Sequence, residues 1–138
     1  MTRLPIRLLA IAAFTAFAWT ANASIAQDAG AGLQSGEWRL VSIGLDPITA
    51  SQPTLRLAEN GMVGGSTGCN TVKATYNSDG ANLVFGPIGQ TRKNCAAVFR
   101  TERAYVAMLG DVRGYTLEGD VLLLTGRNGE TLAVFRAD

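Results

Sequence analysis

Cys69 and Cys95 are the only thiols in the chain and stand twenty-six positions apart. Their spacing is not the Cys-x-x-Cys of thiol exchange. The alternatives are a structural bridge and two free thiols or a redox pair. In an oxidising compartment the pair is expected to close, and a loop of this size stabilises a fold by roughly 3 to 4 kcal/mol in the chain-entropy model. The chain has no histidine, so Ser-His-Asp and Cys-His machinery and His-based zinc sites have no residues to be built from. Two other chemistries stay formally open. Ser66 and Lys73 are a Ser-Lys pair on paper, although a strand lysine seven residues on is ordinarily a solvated one. Glu102 is a carboxylate in an otherwise apolar stripe, but glycosidase-like acid catalysis needs two carboxylates across a bond, and the spacing nominates no second one. We therefore expect no catalytic residues, no metal and no cofactor.

Two further features invite a binding role. The glycine-rich run Gly61–Gly68 looks at first like a phosphate cradle, yet that device needs a helix start and usually a lysine followed by Ser or Thr. Cys69, Asn70 and strand-like residues follow instead, so a twisted strand with tight turns is expected. Asn70 sits beside Cys69, where a bridge would fix the backbone, and its amide both donates and accepts hydrogen bonds. It is expected either to cap a loop from within or to present those groups to a ligand. A buried Glu102 requires a partner, expected to be a backbone N–H, an Arg or a Tyr at the helix–sheet junction.

The elements that position these residues are mostly strands. Trp38–Ile43 has the bulky, β-branched content of a strand and stops at Gly44. Pro47 and Pro53 keep Asp46–Pro53 out of a central strand. Thr54–Leu57 alternates, and Asn60-Gly61 turns it toward Met62-Val63. Ala58 and Glu59 fit a strand poorly, so this loop extends beyond two residues. In Thr71–Tyr76 the residues Val72, Ala74 and Tyr76 share one face, the period of a strand. Asn77–Gly80 reads as a turn, Leu83–Phe85 as a short strand, and Gly86-Pro87 as a break before Ile88–Thr91. From Ala96 to Leu109 the period changes: Val98, Phe99, Glu102, Tyr105, Val106 and Leu109 fall along one side of a helix that Gly110 is expected to end. Val112–Leu117, Val121–Thr125 and Thr131–Phe135 close the chain as strands. The expected fold is mainly β (α+β): a small curved antiparallel sheet or barrel of seven to eight strands packed against one helix, since closure protects strand edges.

The ends and the charge set the context. Two arginines and no acid precede the uncharged run Leu8–Ala21, fourteen residues long. That is the layout of a signal peptide and is too short for the ~20 residues of a membrane span. Residues 1–23 are the expected leader, with an alternative cut after residue 26; 24–35 are an expected flexible lead-in, and 36–138 one domain. No cysteine near either cut offers a lipidation site, so no stable anchor is expected after cleavage. Without Arg3 and Arg7, ten basic residues face eleven acidic ones. The pairs Arg92-Lys93 and Arg100/Arg103 are explained by a solvated surface, and nucleic acid is discounted as a partner.

The ordered series Gly64–Asn70, Tyr76, Thr91–Cys95, Glu102 and Tyr105 ahead of Leu109, with Trp38-Arg39-Leu40 near the start and Leu122–Leu124 and Leu132–Phe135 near the end, resembles the META domain, also called the HslJ-like or DUF306 family. The resemblance spans about Glu37 to Phe135. It implies a small envelope or secreted protein, β-rich with one packed helix, without established enzymatic activity or known cofactor. Some family members are linked to heat shock or antibiotic tolerance and others to motility in protozoan parasites. Many bacterial members are lipoproteins, a pattern this chain lacks. Within the series Asn70, Tyr76, Thr91 and Glu102 are the structural or ligand-contact candidates. The expected role is a non-enzymatic periplasmic or secreted accessory protein in envelope stress or antibiotic tolerance, meeting an envelope protein or a small ligand. The alternatives are a structural envelope domain without a discrete ligand and an unrecognised hydrolase. Oligomeric state is left open.

Overall fold

A computed structural model describes residues 32–138. The expected leader and most of the lead-in lie outside the described residues. From Glu37 onward, ten strands and one helix follow in order: β1 (Glu37–Ile43), β2 (Asp46–Pro47), β3 (Thr54–Leu57), β4 (Met62–Ser66), β5 (Thr71–Asp79), β6 (Asn82–Phe85), β7 (Gly89–Gln90), α1 (Phe99–Asp111), β8 (Gly114–Glu118), β9 (Val121–Thr125) and β10 (Thr131–Ala137). A single 3-10 turn, Ala96–Val98, precedes α1. Eight strands close into an antiparallel barrel in the order β1, β3, β4, β5, β6, β8, β9, β10, with β10 returning to pair β1; β2 and β7 are short additions on β1 and β5. The expected mainly β fold closed by one helix is the fold observed. Among the described residues no helix is long and apolar enough to cross a membrane.

The barrel follows from alternation. Along β5 the inward Val72, Ala74 and Tyr76 are buried while Thr71, Lys73 and Thr75 face out, and β6 and β9 repeat the rule with Leu83, Phe85, Leu122 and Leu124. Each large side chain taken fully out of water contributes roughly 1.5 to 3 kcal/mol. Trp38, Leu40, Leu55 and Phe135 fill the interior, so the barrel is a packed core. The glycines of β4 serve close approach: a Cβ on Gly65 would collide with the Thr54 carbonyl of β3, whereas Gly64 has open space.

The joint between β6 and β8 is thin. It consists of one register pair, Asn82 with Gly114, flanked by Leu83 N–H to Arg113 O (3.2 Å) and Tyr115 N–H to Ala81 O (3.0 Å). Helix α1 leads into β8 at this point and packs on β6, β1 and β10. Those strands lie on opposite walls of the ring, so the buried side of the helix covers the barrel opening. Tyr105 and Leu109 are fully buried there. The Tyr105 hydroxyl donates to Thr54 O (2.8 Å) and its ring meets Phe135 edge-on at 6.5 Å.

Several local expectations differ from what is observed. Gly110 does not end the helix, which runs to Asp111 and leaves through an extended Val112. Val112 is completely buried, so it is the pull of the core that ends the helix. Arg113 then caps the exit, its Nη1 donating to Gly110 O (3.0 Å) and Val112 O (2.7 Å). Phe99, placed on the covered stripe, is 52% exposed, and Met108 is buried instead. The turn expected at Asn77–Gly80 is displaced: β5 continues to Asp79, which pairs with Asn82. Only Gly80 and Ala81 turn the chain, with Gly80 at φ +57°, the positive φ that a II′ hairpin needs at its first turn residue. Pro47 sits in a two-residue edge strand, where its missing N–H is harmless. Residues 32–35 of the expected lead-in lie among the described residues. Leu33 is 1% exposed in the core and its carbonyl accepts from the Trp38 indole N–H (2.9 Å).

Candidate functional site

The chemistry-bearing residues converge where the β4–β5 loop, the segment after β7 and the start of α1 meet. Thr67 shapes the first of these. It is fully buried, its N–H donates to Asn70 O (2.8 Å) and its Oγ1 accepts from Asn70 N–H (2.8 Å). A hydroxyl bonding main-chain groups two or three residues on is a standard alternative to the sheet ladder. Gly68 supplies the φ of +90° that reverses the chain.

Asn70, 2% exposed, is the hub. Its Nδ2 donates to Glu102 Oε1 (2.5 Å) and to Lys93 O (3.1 Å). Its Oδ1 accepts from Thr91 Oγ1 (2.8 Å) and from Lys93 N–H (2.7 Å). Both donors and both acceptor positions of the amide are thus used inside the protein. Thr91 Oγ1 also accepts from Thr71 N–H (3.0 Å), which ties the segment to the start of β5. The Cys69–Cys95 disulfide closes the same loop from its other side.

Glu102 is 7% exposed, and the partner it reaches is the Asn70 side-chain amide. The expected backbone N–H, Arg or Tyr is replaced because the loop brings an amide to the first turn of α1. A hydrogen bond to a carboxylate is about twice as strong as a neutral one, so this contact fastens helix to barrel. Asn70, Thr91, Glu102 and both cysteines therefore come together. Tyr76 takes no part: its hydroxyl donates to Ala58 O (2.7 Å) and accepts from Gln34 Nε2 (2.6 Å), pinning the β3–β4 turn and the residues before β1.

Beside the hub lies an open cavity of about 190 Å³, lined by Asn70, Gln90, Thr91, Arg92, Lys93, Asn94, Cys95, Phe99, Glu102 and Arg103. Glu102 is the one acid in this lining, so the two carboxylates of a glycosidase-like site are not assembled there. Among the described residues no group of three His, Cys, Asp or Glu side chains is placed to hold a metal. Burial pushes the Tyr105 hydroxyl well above the ordinary tyrosine range, which keeps it a neutral donor to Thr54.

Two features were missed from residue types alone. Thr67 had a local signal, a Thr two and three residues ahead of loop N–H groups. The gathering of Arg92, Lys93 and Arg103 had none, since the first two follow β7 and the third lies on α1.

The sequence matches a family model described as META domain over residues 31–138. No curated protein matches it significantly. Among solved structures, it is similar to a protein from Burkholderia xenovorans determined by NMR, at 25% identity over 80% of this chain and 86% of that one, with a TM-score of 0.62. A DUF4847 family protein from Bacteroides vulgatus ATCC 8482, determined by crystallography, is similar at 16% identity over 77% of this chain and 94% of that one, TM-score 0.62. A further protein determined by NMR shares 21% identity over 77% and 92% of the two chains, again with a TM-score of 0.62. These likenesses establish the fold, and none of them indicates a catalytic family.

Proposed function

Starting from a chain that belongs to the META domain family, we propose that it is a non-enzymatic accessory protein of the bacterial periplasm, or secreted, that acts in tolerance of envelope or antibiotic stress through contacts made at the disulfide rim. The observation that carries this reading is the saturation of Asn70. All four of its hydrogen-bonding positions are taken by Glu102, Lys93 and Thr91, so the polar groups best suited to chemistry serve as internal fastening. What remains for recognition is the outer side of the loop they hold. The disulfide supports an oxidising address, consistent with the leader expected from the sequence.

The test is crosslinking in living cells from a photoreactive residue placed at Asn94 on the rim or, as a control, at Asp79 in the β5–β6 hairpin. Under heat and envelope stress, specific adducts are expected from Asn94 and not from Asp79. Intact, unprocessed chain in the cytosol, or turnover of ester, amide or glycoside substrates by the purified protein, would overturn the reading. The interior filled by Trp38, Leu40, Leu55 and Phe135 favours the second reading, a structural domain without a ligand, and absence of adducts from either position under all conditions would select it.

A further inference from the structure

Between residues 80 and 110 the chain carries four basic residues, Arg92, Lys93, Arg100 and Arg103, against the single acid Glu102. Three of these cations, from two different elements, line the cavity beside the disulfide, together with Phe99. The geometry points to a binding site for a phosphate monoester, its dianionic group held by Arg92, Lys93 and Arg103 and its organic part laid against Phe99. This inference rests on the reading of the rim as the contact surface.

Charge comes first. Described ion pairs are Arg39–Asp138 and Arg136–Asp120, so none of the three cavity cations is neutralised by a carboxylate among the described residues. The one acid in the lining, Glu102, is buried and bonded to Asn70. Three cations and one carboxylate leave an excess of two positive charges, which matches the charge of about −1.5 to −2 on a phosphate monoester near neutral pH. A monocarboxylate would leave half of that excess unmatched. Guanidinium groups also present paired donors suited to phosphate oxygens.

Preorganisation comes second. The backbone that carries Arg92 and Lys93 is already fixed: Lys93 N–H and C=O are both bonded to Asn70, Thr91 is bonded to Asn70 and Thr71, and Cys95 is bridged. Little main-chain order remains to be lost on binding. Arg103 is likewise placed, its guanidinium 5.6 Å from the centroid of the Phe99 ring, a cation–π arrangement. That ring is half exposed at the cavity wall, so it offers an apolar platform next to the charges.

Size comes third. A cavity of about 190 Å³ is smaller than the ~300 to 1,000 Å³ of drug-sized ligand sites. It suits one phosphate and a small apolar group. Binding along a nucleic-acid backbone needs a track of cations, and this is a single cluster.

Phenyl phosphate is the probe. Titrated into the disulfide-intact protein at low salt and followed by amide chemical shifts, it is expected to give saturable changes confined to Gln90–Cys95 and Phe99–Arg103. Arg92→Ala with Lys93→Ala should weaken binding about tenfold or more, with melting unchanged because both side chains are exposed. Phe99→Ala should weaken phenyl phosphate by a larger factor than inorganic phosphate, because it removes the apolar platform as well as the ring beside Arg103, and phenol should not bind. Cosedimentation with vesicles of phosphatidic acid in phosphatidylcholine separates the sources: retention that the double variant loses identifies a lipid headgroup, and saturable phenyl phosphate binding without retention identifies a soluble ester. The site is refuted by a lack of saturable shifts, by shifts spread equally to Arg39, Arg56 and Arg127, or by unchanged affinity in the double variant. If the titration fails while rim crosslinks form, the rim meets protein and the phosphate site alone falls.

Discussion

Replacing Asn70 with alanine removes four side-chain hydrogen bonds at once, and the surroundings decide what that costs. Lys93 and Thr91 are exposed, so water can replace their lost partner and each neutral bond is worth about 0.5 to 1.5 kcal/mol. Glu102 is different, because a carboxylate at 7% exposure loses its 2.5 Å donor in a place water reaches poorly. Bonds to charged groups contribute about 1.5 to 3 kcal/mol. Allowing for some water entry, Asn70→Ala should destabilise the fold by about 3 to 5 kcal/mol. At about 4 °C per kcal/mol for a domain of this size, melting should fall by roughly 12 to 20 °C. Glu102→Gln keeps an acceptor of the same shape and loses only the charge, so about 1 kcal/mol is expected. The double variant should lose less than the two singles added, since both act on one bond. Circular dichroism melts of the four proteins at fixed pH provide the measurement. A melting point for Asn70→Ala within about 4 °C of wild type would refute the hub, as would Glu102→Gln proving as damaging as Asn70→Ala.

Three other outcomes follow from the same structure. Removing the bridge by Cys69→Ala with Cys95→Ala should lower stability by about 3.5 kcal/mol in the chain-entropy model, checked by melting beside mass spectrometry of the non-reduced peptides; two alkylatable thiols in native protein would contradict the linkage. Gly65→Ala should destabilise by about 2 kcal/mol or more because its Cβ meets the Thr54 carbonyl, whereas Gly64→Ala should change stability by less than about 1 kcal/mol; equal effects would refute the close approach. Tyr105 has a folded-state pKa raised by burial, so its contribution is present below the unfolded value of ~10 and is lost as pH rises above it. Alkaline unfolding should therefore begin near that pH and be less steep in Tyr105→Phe, and identical alkaline profiles would exclude the tyrosine as the cause.

Strands whose two faces differ were legible directly. Val72, Ala74 and Tyr76 mark β5, because burial on one side imposes a period of two, and the short apolar run Val121–Thr125, set between glycine turns, has the bounds of β9. Boundaries set by distant packing were not. Gly110 is an ordinary helix-stop signal, yet the buried Val112 decides the exit. Leu33 stands among small and polar residues, and only the Trp38 indole above it explains its burial. In the candidate site, the residue types at Cys69, Asn70, Thr91 and Glu102 were visible. Their joining was not, since the Asn70 to Glu102 contact spans thirty-two positions and neither residue's neighbours specify the other. Arg92, Lys93 and Arg103 read as separate solvated charges for the same reason.

The barrel is unevenly stitched. Seven of its eight joints are ladders of at least three residue pairs, and the eighth, between β6 and β8, has one. A ring yields at its weakest stitch, so transient opening should begin at the amides of Leu83 and Tyr115. The helix that braces this joint is itself moored at its start by Cys95 and Glu102. Reducing the Cys69–Cys95 bond is therefore expected to speed hydrogen exchange at the Leu83 and Tyr115 amides, and unchanged exchange would break the link between the two.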